Sequence, residues 1–180
     1  MDPIDMYRRA TVGALAVMKA VSPEQLTLPT PCTEWSVQDL VDHMTASTTY
    51  LRAAIAGQPP SPASPTNACD FADGATAVLA GLADSGALER VCMSPLGFEW
   101  TISHAVMGTI MDTLIHTWDL ATATGQSAAL DPALVAMCID TFLPEMPERG
   151  REGGIVGAAV AVPADAPAYV RLLAAMGRRA

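Results

Sequence analysis

The 180-residue sequence has little positive charge and few aromatic side chains. It holds 10 lysines and arginines against 19 aspartates and glutamates, a formal net charge of −9, and 5% of its residues are aromatic. A phosphate backbone would be repelled by this charge, so we do not expect a nucleic-acid partner. The four cysteines, at positions 32, 69, 92 and 138, form no CxxC pair. Their spacing predicts reduced thiols rather than a zinc knuckle or a redox motif.

Targeting signals and long apolar runs are also missing. The chain begins Met-Asp-Pro-Ile-Asp, without the basic and apolar segments of a secretory signal. No apolar run free of charges and of proline or glycine clusters reaches the ~18 residues of a membrane helix. Hydrophobic residues make up 51% of the sequence, enough for a packed core, which argues against general disorder. We therefore expect a soluble, cytoplasmic protein with no membrane partner.

Helix start and stop signals recur along the chain. Capping residues such as Asp2 and Ser36 open apolar patterns, and Gly57 and Gly125 close them. The predicted helices cover about 2–20, 36–56, 68–83, 101–124, 131–143 and 165–176. Four prolines within residues 57–67 predict a linker. Residues 89–100 predict a β-hairpin, and residues 158–162 predict a short strand.

The predicted fold class is mainly all-α. Four of the helices are long enough to form a bundle, to which we add the small hairpin and a C-terminal strand and helix. We assign residues 1–148 to the helical bundle domain. Residues 149–180, in which basic side chains outnumber acidic ones, form a small basic appendage expected to pack on the bundle. The high apolar content is also compatible with a homodimer.

The sequence contains three histidines, so any site built on imidazole can be enumerated. Asp112 and His116 are four residues apart in a predicted helix and project from one face. His43, in the second predicted helix, could add a third ligand, which is how bundle cores hold metal ions. An Asp-x-x-x-His pair is equally a good hydrogen bond within a helix, so spacing alone leaves both interpretations open. His104 lies about 80° around the helix from Asp112 and is the poorer candidate.

Three stretches of the sequence resemble one known family. They are Thr30–Met44, with the motif PCTEWSVQDLVDHM, Asp112–Gly125, with the motif DTLIHTWDLATATG, and the C-terminal Val162–Gly177. Together they resemble the actinobacterial branch of the DinB-like proteins, which includes the mycothiol-dependent maleylpyruvate isomerases. The resemblance touches nearly the whole chain and implies a DinB-like four-helix bundle.

The resemblance also implies a divalent metal site. In this family, one histidine of the second helix and an acid-x-x-x-His pair of a later helix hold the ion, and these positions correspond to His43, Asp112 and His116. The acid is glutamate in the isomerase and a third histidine in many DinB-like proteins, so Asp112 departs from both. Zn²⁺ is the expected ion, with Ni²⁺, Mn²⁺ and Fe²⁺ as alternatives. A low-molecular-weight thiol is the expected cosubstrate.

Together these features predict a metal- and thiol-dependent transferase or isomerase acting on a small molecule. A non-catalytic metal- or ligand-binding bundle and a metal-dependent hydrolase are the alternatives, and an iron oxygenase is a weaker one. Asp119 is interpreted either as a partner of His116 or as a local backbone cap. The loop with Cys32 and Trp35 either lines the mouth of the site or braces the start of the helix. No other residue is predicted to act in catalysis.

Overall fold

The computed structural model describes residues 2–61, 64–95, 97–144, 146–154 and 156–180. A short 3₁₀ turn covers Pro23–Gln25. The helices and strands, in chain order, are α1 (Pro3–Lys19), α2 (Val37–Ala56), α3 (Ala68–Leu82), β1 (Val91–Met93), β2 (Glu99–Thr101), α4 (Ile102–Thr124), α5 (Pro132–Phe142), α6 (Met146–Glu152) and α7 (Ala168–Ala175). Two compact units are present, one ending at Ala128 and the other starting at Ala129.

The first unit is a four-helix bundle. Helix α1 packs against α3 and α4, and α2 packs against the same two helices. Apolar side chains of all four helices meet in one buried cluster: Ala14, Val17, Met18, Val37, Leu40, Val41, Met44, Phe71, Leu120 and Ala121. The predicted four-helix bundle is therefore confirmed. Among the described residues, no helix is long and apolar enough to cross a bilayer.

Two glycines of α3 set its distance from α2. A Cβ atom at Gly74 would lie 2.0 Å from Thr48 Oγ1, and one at Gly81 would lie 2.8 Å from Ile55 Cγ2. Both glycines lie on the face of α3 turned toward α2, two helical turns apart. The absence of side chains at these two positions therefore allows the helices to approach closely at Thr48 and Ile55.

The start of α2 is fixed by the loop that precedes it. The side chain of Ser36 accepts a hydrogen bond from the Asp39 backbone, and Asp39 accepts one from the Ser36 backbone in return. The next N–H groups, of Val37 and Gln38, donate to carbonyls of the preceding loop at 2.9 Å. All these contacts satisfy groups that an open helix end would leave without partners. The first turn of α2, which leads to His43, is thereby held in place.

The predicted hairpin is confirmed and is attached to α2. Strands β1 and β2 pair antiparallel, with Cys92 opposite Trp100. The hydroxyl of Tyr50, in α2, accepts a hydrogen bond from Trp100 Nε1 at 2.8 Å and donates one to the carbonyl of Met93 at 2.9 Å. Leu96, in the predicted turn, lies outside the described residues, as do residues 62 and 63 of the predicted linker.

The second unit differs from the prediction in two respects. Residues 158–162 form no strand, because the Val160 N–H donates to the carbonyl of Ala174 in α7 rather than to a neighbouring strand. Helix α6 was not predicted, since Pro144 and Pro147 indicated a break; Pro147 instead falls in the first turn of α6, where the missing N–H costs no hydrogen bond.

The division between the compact units also lies elsewhere than the predicted boundary. Residues 148 and 149 fall inside α6, and α5 groups with the second unit because it packs against α7. As a boundary between domains, position 148/149 stays a prediction.

Candidate metal centre

Helices α2 and α4 bring the three predicted ligands together. His43 lies two turns into α2, on the side that also carries the fully buried Leu40. Asp112 and His116 lie one turn apart on α4, which Thr101 caps at its start and Gly125 ends in a left-handed conformation. The packing of α2 on α4 then places the His43 ring against that of His116, with centroids 4.8 Å apart. We call His43, Asp112 and His116 the metal centre, after the ion that their donor atoms are predicted to hold.

The separations between these side chains suit a metal ion. Asp112 Oδ1 lies 3.2 Å from Nε2 of His43 and 3.3 Å from Nε2 of His116. All three ligand atoms lie within 4.8 Å of one another. A tetrahedral ion with bonds of about 2.0–2.2 Å holds adjacent ligand atoms about 3.3–3.6 Å apart, close to the two N–O distances. Two imidazoles and a carboxylate are also donors that Zn²⁺ accepts, so the residues present fit such an ion.

The charges within the centre are strongly coupled. Burial opposes ionisation of Asp112, but the charge and hydrogen bond of His116, together with the hydrogen bond of His43, hold the pKa of Asp112 well below its usual range. Burial also opposes the charged form of His116, yet Asp112, Asp119 and Cys32 together raise the pKa of His116 well above its usual value. Without an ion, these shifts favour an ionised Asp112 beside a protonated His116. A divalent cation would replace that proton, since a metal-bound imidazole is neutral.

A second carboxylate holds the far side of the His116 ring. Asp119 Oδ2 lies 2.9 Å from His116 Nδ1, and the Asp119 side chain is fully buried. The thiol of Cys32 donates to the same oxygen at 3.3 Å and lies 3.8 Å from Nδ1. Of the two interpretations of Asp119, the structure therefore shows the contact with His116. The opposite nitrogen, Nε2, is the one that faces Asp112.

Cys32 and Trp35 reach the centre from the loop before α2. The Trp35 N–H donates to the carbonyl of Cys32 at 3.1 Å, and between them Glu34 adopts a positive φ of 69°. This turn places the Trp35 ring 4.8 Å from that of His43 and 5.8 Å from that of His116. Both interpretations of the loop hold, since it braces α2 and also borders the centre. It lines an open cleft of about 270 Å³ with Thr27, Pro29, Thr30, Cys32, Glu34, Trp35 and Ser36.

A second group of potential ligands shares His116. Cys32, His116 and Asp119 also lie within metal-binding distance of one another. Nδ1 of His116, however, is already hydrogen-bonded to Asp119, which is fully buried. In the first group, the side chains of His43 and Asp112 are 35% and 31% exposed, so a small molecule can approach from solvent. The first group is therefore the better candidate for a reactive centre.

The third histidine lies elsewhere. His104 is exposed in the first turn of α4, with its Nδ1 3.2 Å from Thr101 Oγ1. Ser47, one helical turn after His43, was not among the predicted site residues; its hydroxyl lies 3.2 Å from Asp112 Oδ2 and donates to it. Sequence spacing offered that signal for Ser47. It offered none for Cys32, which is 84 positions from His116.

Comparison with known proteins agrees with this architecture. The chain is similar to the crystal structure of the mycothiol-dependent maleylpyruvate isomerase, with a TM-score of 0.61 over 82% of this chain and 71% of that one. The sequence identity is 12%, so this likeness shows the fold. It confirms the mainly helical fold expected from the sequence.

Sequence comparison identifies the family. Two uncharacterized proteins from Mycobacterium tuberculosis, of strains CDC 1551 / Oshkosh and ATCC 25618 / H37Rv, are each 34% identical to this chain over 141 residues, or 74% of either length. Residues 7–121 match the model of the mycothiol maleylpyruvate isomerase N-terminal domain, a range that contains all three residues of the metal centre. The chain therefore belongs to the mycothiol maleylpyruvate isomerase N-terminal domain family.

Proposed function

We propose that this protein binds a divalent metal ion at His43, Asp112 and His116 and uses it, with a low-molecular-weight thiol, to transfer or isomerise a small molecule. The observation that carries the proposal is the convergence of two imidazole nitrogens on one carboxylate, at 3.2 and 3.3 Å. Family membership supports the use of a low-molecular-weight thiol, because the family is named for a mycothiol maleylpyruvate isomerase. The name of the solved structure supports a small substrate.

The side chains have separable tasks in this proposal. His43, Asp112 and His116 would hold the ion, and Zn²⁺ suits this donor set best. Such an ion, when bound, lowers the pKa of a thiol that reaches it and supplies a nucleophile at neutral pH. Asp112 contacts both histidines through one carboxylate. The partial exposure of Asp112 and His43 leaves one side of the centre accessible to a substrate.

The loop before α2 supplies the boundary of that accessible side. Trp35 places an apolar ring beside both histidine rings, at 4.8 and 5.8 Å between centroids. The adjoining cleft of about 270 Å³ can admit a small molecule. The thiol and the substrate would therefore meet beside Trp35, on the side where His43 and Asp112 are partly exposed.

Metal content is the first test of the proposal. Purified, tag-free protein is loaded with Zn²⁺, Ni²⁺ or Mn²⁺, dialysed and analysed for metal, beside a His43→Ala/His116→Ala double variant. His104→Ala serves as the matched control, because this exposed histidine lies outside the centre. We expect about one ion per chain in the wild type and the control, and loss of the ion in the double variant. No metal in the wild type under any loading condition would overturn the proposal.

The thiol is tested on the Co²⁺-substituted protein. A low-molecular-weight thiol that reaches the ion adds sulfur-to-metal charge transfer in the near ultraviolet and shifts the visible absorption. We expect this change in the wild type, together with thiol-dependent turnover in a screen of small electrophilic acids. Metal binding with no thiol response and no turnover would contradict the transferase or isomerase. Turnover by water alone would identify a hydrolase instead.

A further inference from the structure

We infer that Asp119 is a positioning residue, which fixes the His116 ring so that Nε2 faces the metal. The inference rests on the proposed metal site and deepens it. Asp119 lies seven residues after Asp112 on α4, so both carboxylates occupy the face that carries His116. One meets each nitrogen of the ring: Asp112 at Nε2, 3.3 Å away, and Asp119 at Nδ1, 2.9 Å away.

The geometry determines which nitrogen is available. A short contact to a buried carboxylate keeps the proton on Nδ1, since Nδ1–H donates and the carboxylate accepts. Nε2 is then the nitrogen with a lone pair for the ion. The negative charge of Asp119 also makes the ring a stronger electron donor, as acceptors behind metal-binding histidines generally do.

The Asp119 carboxylate is itself held in place. Its side chain has no exposed surface, and the thiol of Cys32 donates to the oxygen that accepts from His116. The loop that carries Trp35 is therefore tied through Cys32 to the carboxylate behind the ligand. A buried carboxylate with two donors on one oxygen has little freedom to turn, and the orientation of His116 follows from it.

The other histidine of the centre has no equivalent support. Among the described residues, the hydrogen bonds of the His43 ring run from Nε2 to Asp112, and none involves its Nδ1. Its ring is instead bordered by Trp35. The two imidazole ligands thus differ, one oriented by a carboxylate and one by packing. Loss of Asp119 should therefore change the His116 bond to the metal and leave His43 unaffected.

Two variants of Asp119 test the inference. Asp119→Asn keeps the size and removes the charge, and Asp119→Leu also removes the acceptor. We expect the affinity for Zn²⁺, measured by competition with a chromophoric chelator, to fall about 10–100-fold in Asp119→Asn and further in Asp119→Leu. The visible spectrum of the Co²⁺ form should change as well, which a merely structural role would not produce. Asp42→Asn is the matched control, since Asp42 is hydrogen-bonded but lies outside the centre.

A measurement on the metal-free wild type separates this inference from the proposed function. Proton NMR should show a low-field, slowly exchanging Nδ1–H of His116, which disappears in Asp119→Leu. If that proton is present but no metal binds, the proposed function fails and the contact with Asp119 remains. If metal binds and both variants match the wild type in affinity and Co²⁺ spectrum, the positioning role is wrong.

Discussion

Two neighbouring residues of α2, Asp42 and His43, belong to polar clusters of opposite character. Asp42 accepts hydrogen bonds from Gln38 Nε2, from the Ser64 hydroxyl, and from the backbone and hydroxyl of Thr66. We call these four residues the Asp42 cluster. Its donors are all neutral, and both carboxylate oxygens are occupied. In the metal centre, by contrast, Asp112 meets two titratable rings. One turn of α2 thus carries a residue of each cluster.

The two carboxylates also differ in what keeps them ionised. Partial burial opposes the charge of Asp42, and the hydrogen bonds from Ser64, Thr66 and Gln38 outweigh it, so the pKa of Asp42 lies below its usual value. The low pKa of Asp112 depends instead on the neighbouring histidines. A cation can replace a proton on His116, but nothing in the Asp42 cluster can be exchanged so readily. A partly buried carboxylate whose hydrogen bonds all come from neutral donors therefore indicates a structural role. A carboxylate whose pKa depends on titratable neighbours indicates a candidate functional site.

The largest loss of metal affinity should come from Asp112→Asn, because this substitution removes the negative charge that both histidines contact. We expect the affinity for Zn²⁺ to fall more than about 100-fold, beyond the loss typical of outer-shell partners. Asparagine keeps the size of the side chain, so the circular dichroism of the bundle should be unchanged. The affinity is measured by chelator competition.

Unchanged metal content in this variant would exclude Asp112 as a ligand. A folded Asp112→Asn protein that has lost its ion, beside an Asp42→Asn protein that keeps it, would show most directly that Asp112 binds the metal and Asp42 does not.

Asp42→Asn should affect stability rather than metal binding. Removing the charged acceptor weakens four hydrogen bonds, and we expect a loss of about 1–2 kcal/mol in the free energy of unfolding at pH 7. Because the folded pKa of Asp42 is depressed, this contribution is present above its unfolded value of 3.8 and is lost as pH falls through the folded value. Urea titrations of the metal-free proteins at several pH values measure both effects.

The stabilities of the wild type and Asp42→Asn should therefore begin to converge as pH falls below 3.8, where the carboxyl of the unfolded chain takes up a proton, and converge fully only below the depressed folded pKa. A difference that stays constant down to pH 3 would show that the hydrogen bonds of Asp42 do not depend on its charge.

The smallest effect should follow Ser47→Ala. The Ser47 hydroxyl donates to Asp112 Oδ2 at 3.2 Å, on the partly exposed side of the centre. Loss of one such bond is worth about 1 kcal/mol, so Zn²⁺ affinity should fall about five-fold. Thr76→Ala is the matched control, because the Thr76 hydroxyl bonds to a carbonyl within α3. Equal affinities in wild type and Ser47→Ala would show that Ser47 does not orient the carboxylate.

The sequence predicted the helices and strands of the bundle well, because the signals that define them are local. Ser36 with Asp39 marks the start of α2, and Gly57 and Gly125 mark helix ends, as in the structure. The ligand pair on α4 was predictable for the same reason, since four residues make one turn. Helix geometry and the resemblance to a family pointed to the same third residue, His43.

Contacts between distant segments were not predictable. The loop with Trp35 was expected either to line the site or to brace α2, but the position of Trp35 against both histidines depends on the turn at Glu34 and on how α4 passes the loop. Cys32 and Asp119 meet across 87 positions. The strand predicted at residues 158–162 was wrong for a related reason. These residues have a strand-like composition, but a strand needs a neighbouring strand to pair with. The Val160 N–H instead bonds to the end of α7.

The Trp35 ring, a few ångströms from two histidines, makes the protein its own optical indicator. Indole emission is quenched by nearby ions with partly filled d shells, such as Co²⁺ and Ni²⁺, whereas Zn²⁺ has a filled d shell. With centroid distances of 4.8 and 5.8 Å to the two imidazoles, Trp35 is far closer to the centre than quenching requires. With Trp100 and Trp118 replaced by phenylalanine, Trp35 is the one remaining indole, and occupancy of the predicted site and exchange of one ion for another can be followed as its emission, without a label.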